Sequence, residues 1–503
     1  MNECARTSIK LLILFILLKY GSSSKLVDPS KSLVWGPGLK PDKIVLPARY
    51  IFIHAVDRDG VRFRKSPPYA YQVFIEGQSG VGKCPATINF IDRGDGSAIV
   101  RYKIVRVCEK IELHIKYNGS HVAKSPYIIE NTIYPEKCYC PQHLSTWLYN
   151  NECSNNDQRI ELDLQPFKQV NFSNIRENLI KKYDMPGSVS ICNYVVKNNE
   201  IYRKCYGKYV GYSMFMDATL LSLTRVVKLP DIEFFLNLGD WPLSKKGGHQ
   251  RTSGPYPIIS WCGSDDSYDI VLPTHDITEA TLENMGRVML DMISVQKEIY
   301  PWIEKKEKAF WRGRDSRYER LHLIELARKH PDLFNASITN FFFFRDREDE
   351  FGPTVKHISF LDFFKYKYQL NIDGTVAAYR LPYLLGGNSL VFKQNSPFYE
   401  HFYYKLVPNK HFVPFKRDLS DLVDKLRWAK AHDNRAKEIM ETAREFVQDN
   451  LMPVNIYCYH VQLFNEWSKR LVSPVTVLPG MERVKQDVKC DCRESNHIAK
   501  DEL

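Results

Sequence analysis

The sequence predicts two modules of different class, a β-sandwich followed by a larger α/β domain. Three observations carry this: short β-rich stretches at regular spacing before residue 134, mixed helical and strand patterns after Cys138, and irregular text at the joint near Pro135. A chain of 503 residues that is 44% hydrophobic has material for more than one core. At about 100–200 residues per domain it should hold two to four.

The first element is a leader. Arg6 and Lys10 precede an unbroken apolar run from Leu11 to Leu18, which gives way to Gly21-Ser22-Ser23-Ser24. That order is expected of a cleavable secretory signal over residues 1–24. The run of eight apolar residues rises about 12 Å as a helix, whereas a bilayer span needs roughly 20 residues, so no membrane insertion is expected.

The second element, residues 25–134, reads as strands. Ala48 to Val56, Tyr71 to Ile75, Ala86 to Ile91, Ser97 to Val105 and Lys110 to Tyr117 alternate or concentrate β-branched and aromatic residues. Turn clusters such as Asp57-Arg58-Asp59-Gly60 divide them. Gly77-Gln78-Ser79-Gly80-Val81-Gly82-Lys83-Cys84 nearly spells a phosphate-cradling P-loop. Cys84 supplies no hydroxyl, however, and the alternating Ala86 to Phe90 follows where a helix is required, so a Gly-rich hairpin is expected. The stretches Asp95 to Tyr102 and Asn118 to Tyr127 resemble parts of a filamin-type immunoglobulin-like repeat, which would cover the whole segment.

The third element, residues 135–472, alternates helix and strand. Asp231 to Leu238 reads as a buried strand, Ala280 to Val295 and Arg317 to Lys329 as helices, and Leu390 to Phe392 as a short strand. Leu422, Leu426 and Ala429 stripe one late helix; Ile439, Ala443, Phe446 and Val447 stripe the next. Phe341 to Phe344 is a core-sized aromatic run. The last element, residues 473–503, reads as an irregular tail. It ends in Lys500-Asp501-Glu502-Leu503, a retrieval address for the endoplasmic reticulum lumen that makes the KDEL receptor an expected partner.

The net charge of +11 is dispersed, which fits an anionic small-molecule ligand and argues against a nucleic-acid surface. Cys4 leaves with the leader; the remaining eleven cysteines should mostly form bridges, with at least one left over. Cys138-Tyr139-Cys140 and Cys490-Asp491-Cys492 could be imagined as a zinc site, but their spacing is not the usual one and no metal is expected. Asn118, Asn171 and Asn335 head glycosylation sequons.

Four segments of the larger module could carry chemistry: Asn237 to Pro242, Ala309 to Arg320, Tyr366 to Gly374, and Thr375 to Arg380. Asp240 follows an apolar strand where Gly239 and Pro242 bend the chain, so its carboxylate should enter a crevice, unless it merely closes the turn. Arg312, Arg314, Arg317 and Arg320 fall within three helical turns, with Arg317 and Arg320 near one face. They offer the charged forks that a diphosphate needs, or else a solvated surface paired with Asp315 and Glu319. Arg380, after the apolar Val376-Ala377-Ala378, should have a buried anionic partner.

Together these segments resemble the CAP10-like glycosyltransferase family, whose animal members are protein O-glucosyltransferases of the endoplasmic reticulum, over about Cys138 to Trp467. With the filamin-like repeat in front and the retrieval signal behind, the chain resembles the members called KDEL motif-containing proteins. The resemblance implies a metal-independent, inverting enzyme of the GT-B type with two Rossmann-like halves. It would move glucose from UDP-glucose to a serine of folded epidermal-growth-factor-like (EGF-like) repeats. The family's Asp-aromatic-Pro motif falls on Asp240-Trp241-Pro242, making Asp240 the implied general base. The implied UDP-sugar contacts are Arg314, Arg320, Thr375, Val376, Ala377, Ala378, Tyr379 and Arg380.

The chain departs from the family at Arg314, where many relatives carry a hydroxyl, which opens glucose against xylose as donor sugar. It departs again at Gly239, which should leave the base freer. The competing readings are transfer of xylose from UDP-xylose to the same acceptors, and a non-catalytic lumenal binding or quality-control module.

Overall fold

The computed structural model describes residues 26–41, 49–63, 65–80, 82–92, 96–154, 156–185, 189–247, 255–281, 300–486, 490 and 492. The expected leader, the retrieval tetrapeptide and nearly all of the expected helix Ala280 to Val295 lie outside them.

The sandwich is built from β1 (Leu33–Trp35), β2 (Arg49–His54), β3 (Tyr71–Ser79), β4 (Gly82–Lys83), β5 (Ala86–Asp92), β6 (Ser97–Ile104), β7 (Lys110–Tyr117), β8 (Ser120–His121) and β9 (Tyr127–Ile129). One sheet runs β1-β2-β6-β5; the other runs β4-β3-β7, with β8 and β9 also on β7. Strict alternation on β7 turns Ile111, Leu113, Ile115 and Tyr117 inward, against Ile51, Ile53 and Val100 from the facing sheet. The P-loop look-alike is the β3–β4 hairpin: Gln78 faces Lys83, Ser79 faces Gly82, and Gly82 takes φ +119°. Cys84 then bridges to Cys108.

The larger module divides into two α/β halves. The first contains β10 (Ile191–Lys197), β11 (Glu200–Tyr206), β12 (Ile232–Asn237), β13 (Ile258–Ser260), β14 (Gly263–Ser264) and β15 (Ile270–Val271). Here β12, β13 and β15 are parallel, and β12 is buried at all six positions, as a central strand covered on both faces requires. The antiparallel β10 and β11 extend the sheet, so this half is mixed.

The second half contains β16 (Lys306–Arg314), β17 (Phe334–Asn340), β18 (Tyr366–Asn371), β19 (Leu390–Gln394), β20 (Phe398–Tyr399) and β21 (Val413–Phe415). Its main sheet is wholly parallel in the order β17-β16-β18-β19-β21. This is the doubly wound order, whose direction of winding reverses between β16 and β18. The late helices expected from their stripes are present at Leu422–Ala431 and Asp433–Asn450.

Two features join the halves. β14 pairs with β20, and a side chain at Gly263 would overlap the Tyr399 ring, with its Cβ only 2.2 Å away. Helix Pro453–Ser468 follows the second half in sequence but packs on the first. Its Trp467 donates through Nε1 to the Glu233 carbonyl at 2.8 Å, and Cys458 is bridged to Cys153.

The tail is not wholly irregular: β22 (Glu482–Val484) pairs with β11, and Cys138–Cys490 and Cys140–Cys492 form two adjacent bridges where a zinc site could be imagined. The expected leftover thiol is Cys262, which is buried and whose pKa burial pushes up. The arginine-rich segment is not one helix, since Arg312 and Arg314 lie on β16, Arg317 stands with extended backbone just before helix Tyr318–Lys329, and Arg320 sits in its first turn. The aromatic run is only partly core: Phe341 is buried, whereas Phe342 and Phe343 are about half exposed, at 52% and 51%.

Candidate active site

The loop after β12 carries Asp240, and a buried polar network fixes both of its ends. Asn237, fully buried at the end of β12, accepts from the Gly239 N–H at 2.8 Å and donates to the Trp241 carbonyl at 2.7 Å. It also donates to Ser260 Oγ, which donates to Asp269 Oδ1 at 2.6 Å. Asp269 accepts the N–H groups of Leu243 and Ser244 at 2.8 and 2.7 Å. Asn237 and Asp269 therefore do the turn-closing that Asp240 could have done.

Among the described residues the Asp240 carboxylate has no hydrogen-bond or ion-pair partner, and it is half-buried. Partial burial raises its pKa above the ordinary aspartate value, and the charge of Arg314 opposes the rise. Gly239 does not loosen this loop: its position packs against Val189, whose Cγ1 would lie 2.7 Å from an added Cβ.

The opposite wall comes from the ends of β16 and β18, at the reversal point where doubly wound sheets bind ligands. Arg314 is exposed at the end of β16. Arg320 is buried and hydrogen-bonded to protein: it donates to the carbonyls of Asp373 at 2.8 Å, Arg314 at 2.8 Å and Ile372 at 3.1 Å, and to Ser316 Oγ. In this structure it shapes the two loops and does not reach out from them. Burial draws its pKa down to about 9, and Arg380, Arg314 and Arg317 add repulsion. Crowded guanidinium groups of this kind attract an anion, whose binding relieves both repulsion and desolvation.

The loop Thr375 to Arg380 lines the same crevice. Thr375 is half-buried, and Val376 and Ala377 pack with Cys262 and Phe398, Ala378 being buried beside them. The Tyr379 hydroxyl is buried without a hydrogen-bond partner in the protein. Its pKa is pushed up, first by burial and then by neighbouring ionisable groups, Asp240 among them. Half-buried Arg380 donates to the Arg312 carbonyl at 2.5 Å. Burial lowers its pKa and the charge of Asp276, in helix His275–Thr281, counters this; Asp276 is a half-buried electrostatic neighbour and not the buried anionic partner expected from the sequence.

Asp315 reverses the surface role it could have had. It is fully buried and accepts the N–H groups of Phe342, Phe343 and Phe344 at 2.9, 2.8 and 2.6 Å, tying the loop after β17 to the end of β16. Glu319 pairs with Arg417 and not with the arginines of its own segment. Ser260 and Asp269 escaped the sequence reading because nothing local marks a residue that braces a loop distant in the chain.

Among the described residues no group of three or more His, Cys, Asp or Glu side chains is arranged to hold a metal ion. A cavity of about 360 Å³ between helix Tyr318–Lys329 and β17 lies apart from this crevice. Of the sequons, Asn118 is exposed in a turn and Asn171 caps helix Phe172–Tyr183. Asn335 lies on β17 with its amide engaged by Arg312 at 2.7 Å and the Tyr366 hydroxyl at 2.6 Å.

Residues 149–502 match the model of glycosyl transferase family 90, and residues 26–128 match that of the filamin/ABP280 repeat. The chain is 47% identical to protein O-glucosyltransferase 2 of Danio rerio over 479 residues, which is 94% of each chain. It is 44% identical to protein O-glucosyltransferase 3 of Homo sapiens over 495 residues, covering 97% of this chain and 96% of that one. Protein O-glucosyltransferase 1 of Homo sapiens is 30% identical over 303 residues, or 58% of this chain and 76% of that one.

Proposed function

The chain belongs to glycosyl transferase family 90, and from that membership we propose an inverting transfer of glucose from UDP-glucose to a serine of folded EGF-like repeats. The observation that carries the proposal is the pairing of an unpartnered Asp240 carboxylate on one half with the arginine-rich crevice on the other.

In this reading UDP-glucose lies at the reversal point between β16 and β18, its diphosphate attracted by exposed Arg314, buried Arg320 and half-buried Arg380. The acceptor serine enters beside Asp240. Its Oγ attacks the anomeric carbon as Asp240 takes the hydroxyl proton; the bond from that carbon to the diphosphate oxygen breaks, and UDP leaves with the electron pair. A single displacement inverts the anomeric configuration. A positioned base contributes roughly 10²–10⁴-fold to such a step. The positive charge needed by the leaving group comes here from arginines, which supports a reaction that does not depend on a metal.

Five disulfides among the described residues fit an oxidising compartment, and we place the enzyme in the endoplasmic reticulum lumen, recovered through Lys500 to Leu503. The test is transfer from UDP-glucose and from UDP-xylose to an oxidised and to a reduced acceptor repeat, with and without a chelator. Glucose transfer to the oxidised repeat, unaffected by chelation, is expected. Transfer restricted to xylose would replace the donor, and equal use of the reduced repeat would remove recognition of a folded acceptor.

A further inference from the structure

Arg317 belongs to the wall built from β16 and β18 but reaches across the crevice to the other. It stands immediately before helix Tyr318–Lys329 with extended backbone angles, φ −152° and ψ 157°, so its side chain turns across the crevice and not along the helix. Its Nε donates to the Gly374 carbonyl and its Nη2 to the Thr375 carbonyl at 2.8 Å, which fixes the start of the loop that continues to Arg380.

The same guanidinium lies 5.6 Å from the centre of the Trp241 ring and 5.2 Å from that of Phe398. Those two rings meet edge to face at 5.7 Å. One side chain thus touches the loop after β18, the residue next to Asp240, and β20, the strand that pairs with the first half. Trp241 is 45% exposed, with its ring packed on Phe398 and Arg317.

We infer that Arg317 is a positioning residue that couples the donor loop at Gly374–Thr375 to the base loop at Trp241, so that Asp240 is aligned only when both are held. The inference rests on the reading of Asp240 as the base. Arginine suits the role because a planar guanidinium can donate in its own plane while presenting its face to aromatic rings. A lysine could keep the charge but not both contacts. Misplacement of a reacting group by about 1 Å can cost roughly 10²-fold in rate, so a residue that touches no reacting atom can still govern turnover.

The experiment is a double-mutant cycle on glucose transfer with Arg317→Ala, Trp241→Ala and the combined variant, alongside Arg317→Lys, with UDP affinity and melting temperature measured for each. Arg317→Ala should lower kcat by about 10–100-fold while UDP affinity stays within about threefold, and Arg317→Lys should recover only part of the loss. The combined variant should lose little more than the worse single variant, because each change breaks the same link. Losses that multiply, or a loss confined to KM for UDP-glucose, would overturn the coupling. Wild-type protein without glucose transfer would instead remove the reading beneath it, and the inference with it.

Discussion

Asn237 donates to the Trp241 carbonyl at 2.7 Å across the residues that carry Asp240, so a fully buried amide at a strand end sets the path of the loop that holds the proposed base. Asn237→Ala removes that bond and the one from Gly239 together. Each buried hydrogen bond contributes about 1 kcal/mol net, and an orphaned partner costs about 1–3 kcal/mol. We expect a loss of roughly 2–3 kcal/mol in unfolding free energy and a fall in kcat of at least about tenfold. Urea unfolding and transfer kinetics measure the two, and an unchanged kcat would separate this anchor from catalysis.

With Asp240 as the proposed base, Arg314 should set the position of the acid limb of the pH profile. The base must be ionised to act, burial holds the Asp240 pKa up, and Arg314 holds it down. Arg314→Ala removes only the second effect, so the folded pKa rises further and activity should fall away at a higher pH. The profile of kcat/KM against pH for both proteins decides it; a limb that stays in place, or moves to lower pH, contradicts this electrostatic account.

Asn335 should carry no glycan in the folded protein, although its sequon is intact. Its amide already bonds Arg312 and Tyr366, and a sugar on that nitrogen would crowd both contacts. Asn118, exposed in its turn, is free to accept one. Peptide mapping of the purified protein should find glycan at Asn118 and unmodified Asn335. Stoichiometric glycan at Asn335 would contradict the packing of β17.

The cysteines should divide sharply on alkylation. Cys262 is buried with a raised thiol pKa, so it should resist alkylation in the native protein and react once the chain is unfolded without reductant. Mapping of the bridged peptides should join Cys138 and Cys140 to Cys490 and Cys492. Native labelling of Cys262, or bridges confined to each Cys-x-Cys pair, would contradict the fold.

Much of this was legible in the sequence where the signal was local. Alternation announced β7, stripes announced the late helices, and an apolar run bent by Gly239 and Pro242 announced the end of β12. What was not legible depends on residues distant in the chain. Asp315 looked like a surface partner because its three amide donors lie some 27 residues away, at Phe342 to Phe344. The segment from Arg312 to Arg320 contains a strand end, a turn and a helix start, and helical spacing alone hides that break. β22 looked irregular because a three-residue strand carries almost no periodicity.

The most direct test of the central claim compares wild type with Asp240→Asn, using UDP-glucose and an oxidised EGF-like repeat, with melting temperature and UDP affinity measured on both. The substitution keeps the size and removes the proton acceptor. The account predicts that transfer falls by at least about 10²-fold while stability and UDP affinity are preserved. Transfer by the asparagine variant at the wild-type rate would contradict it.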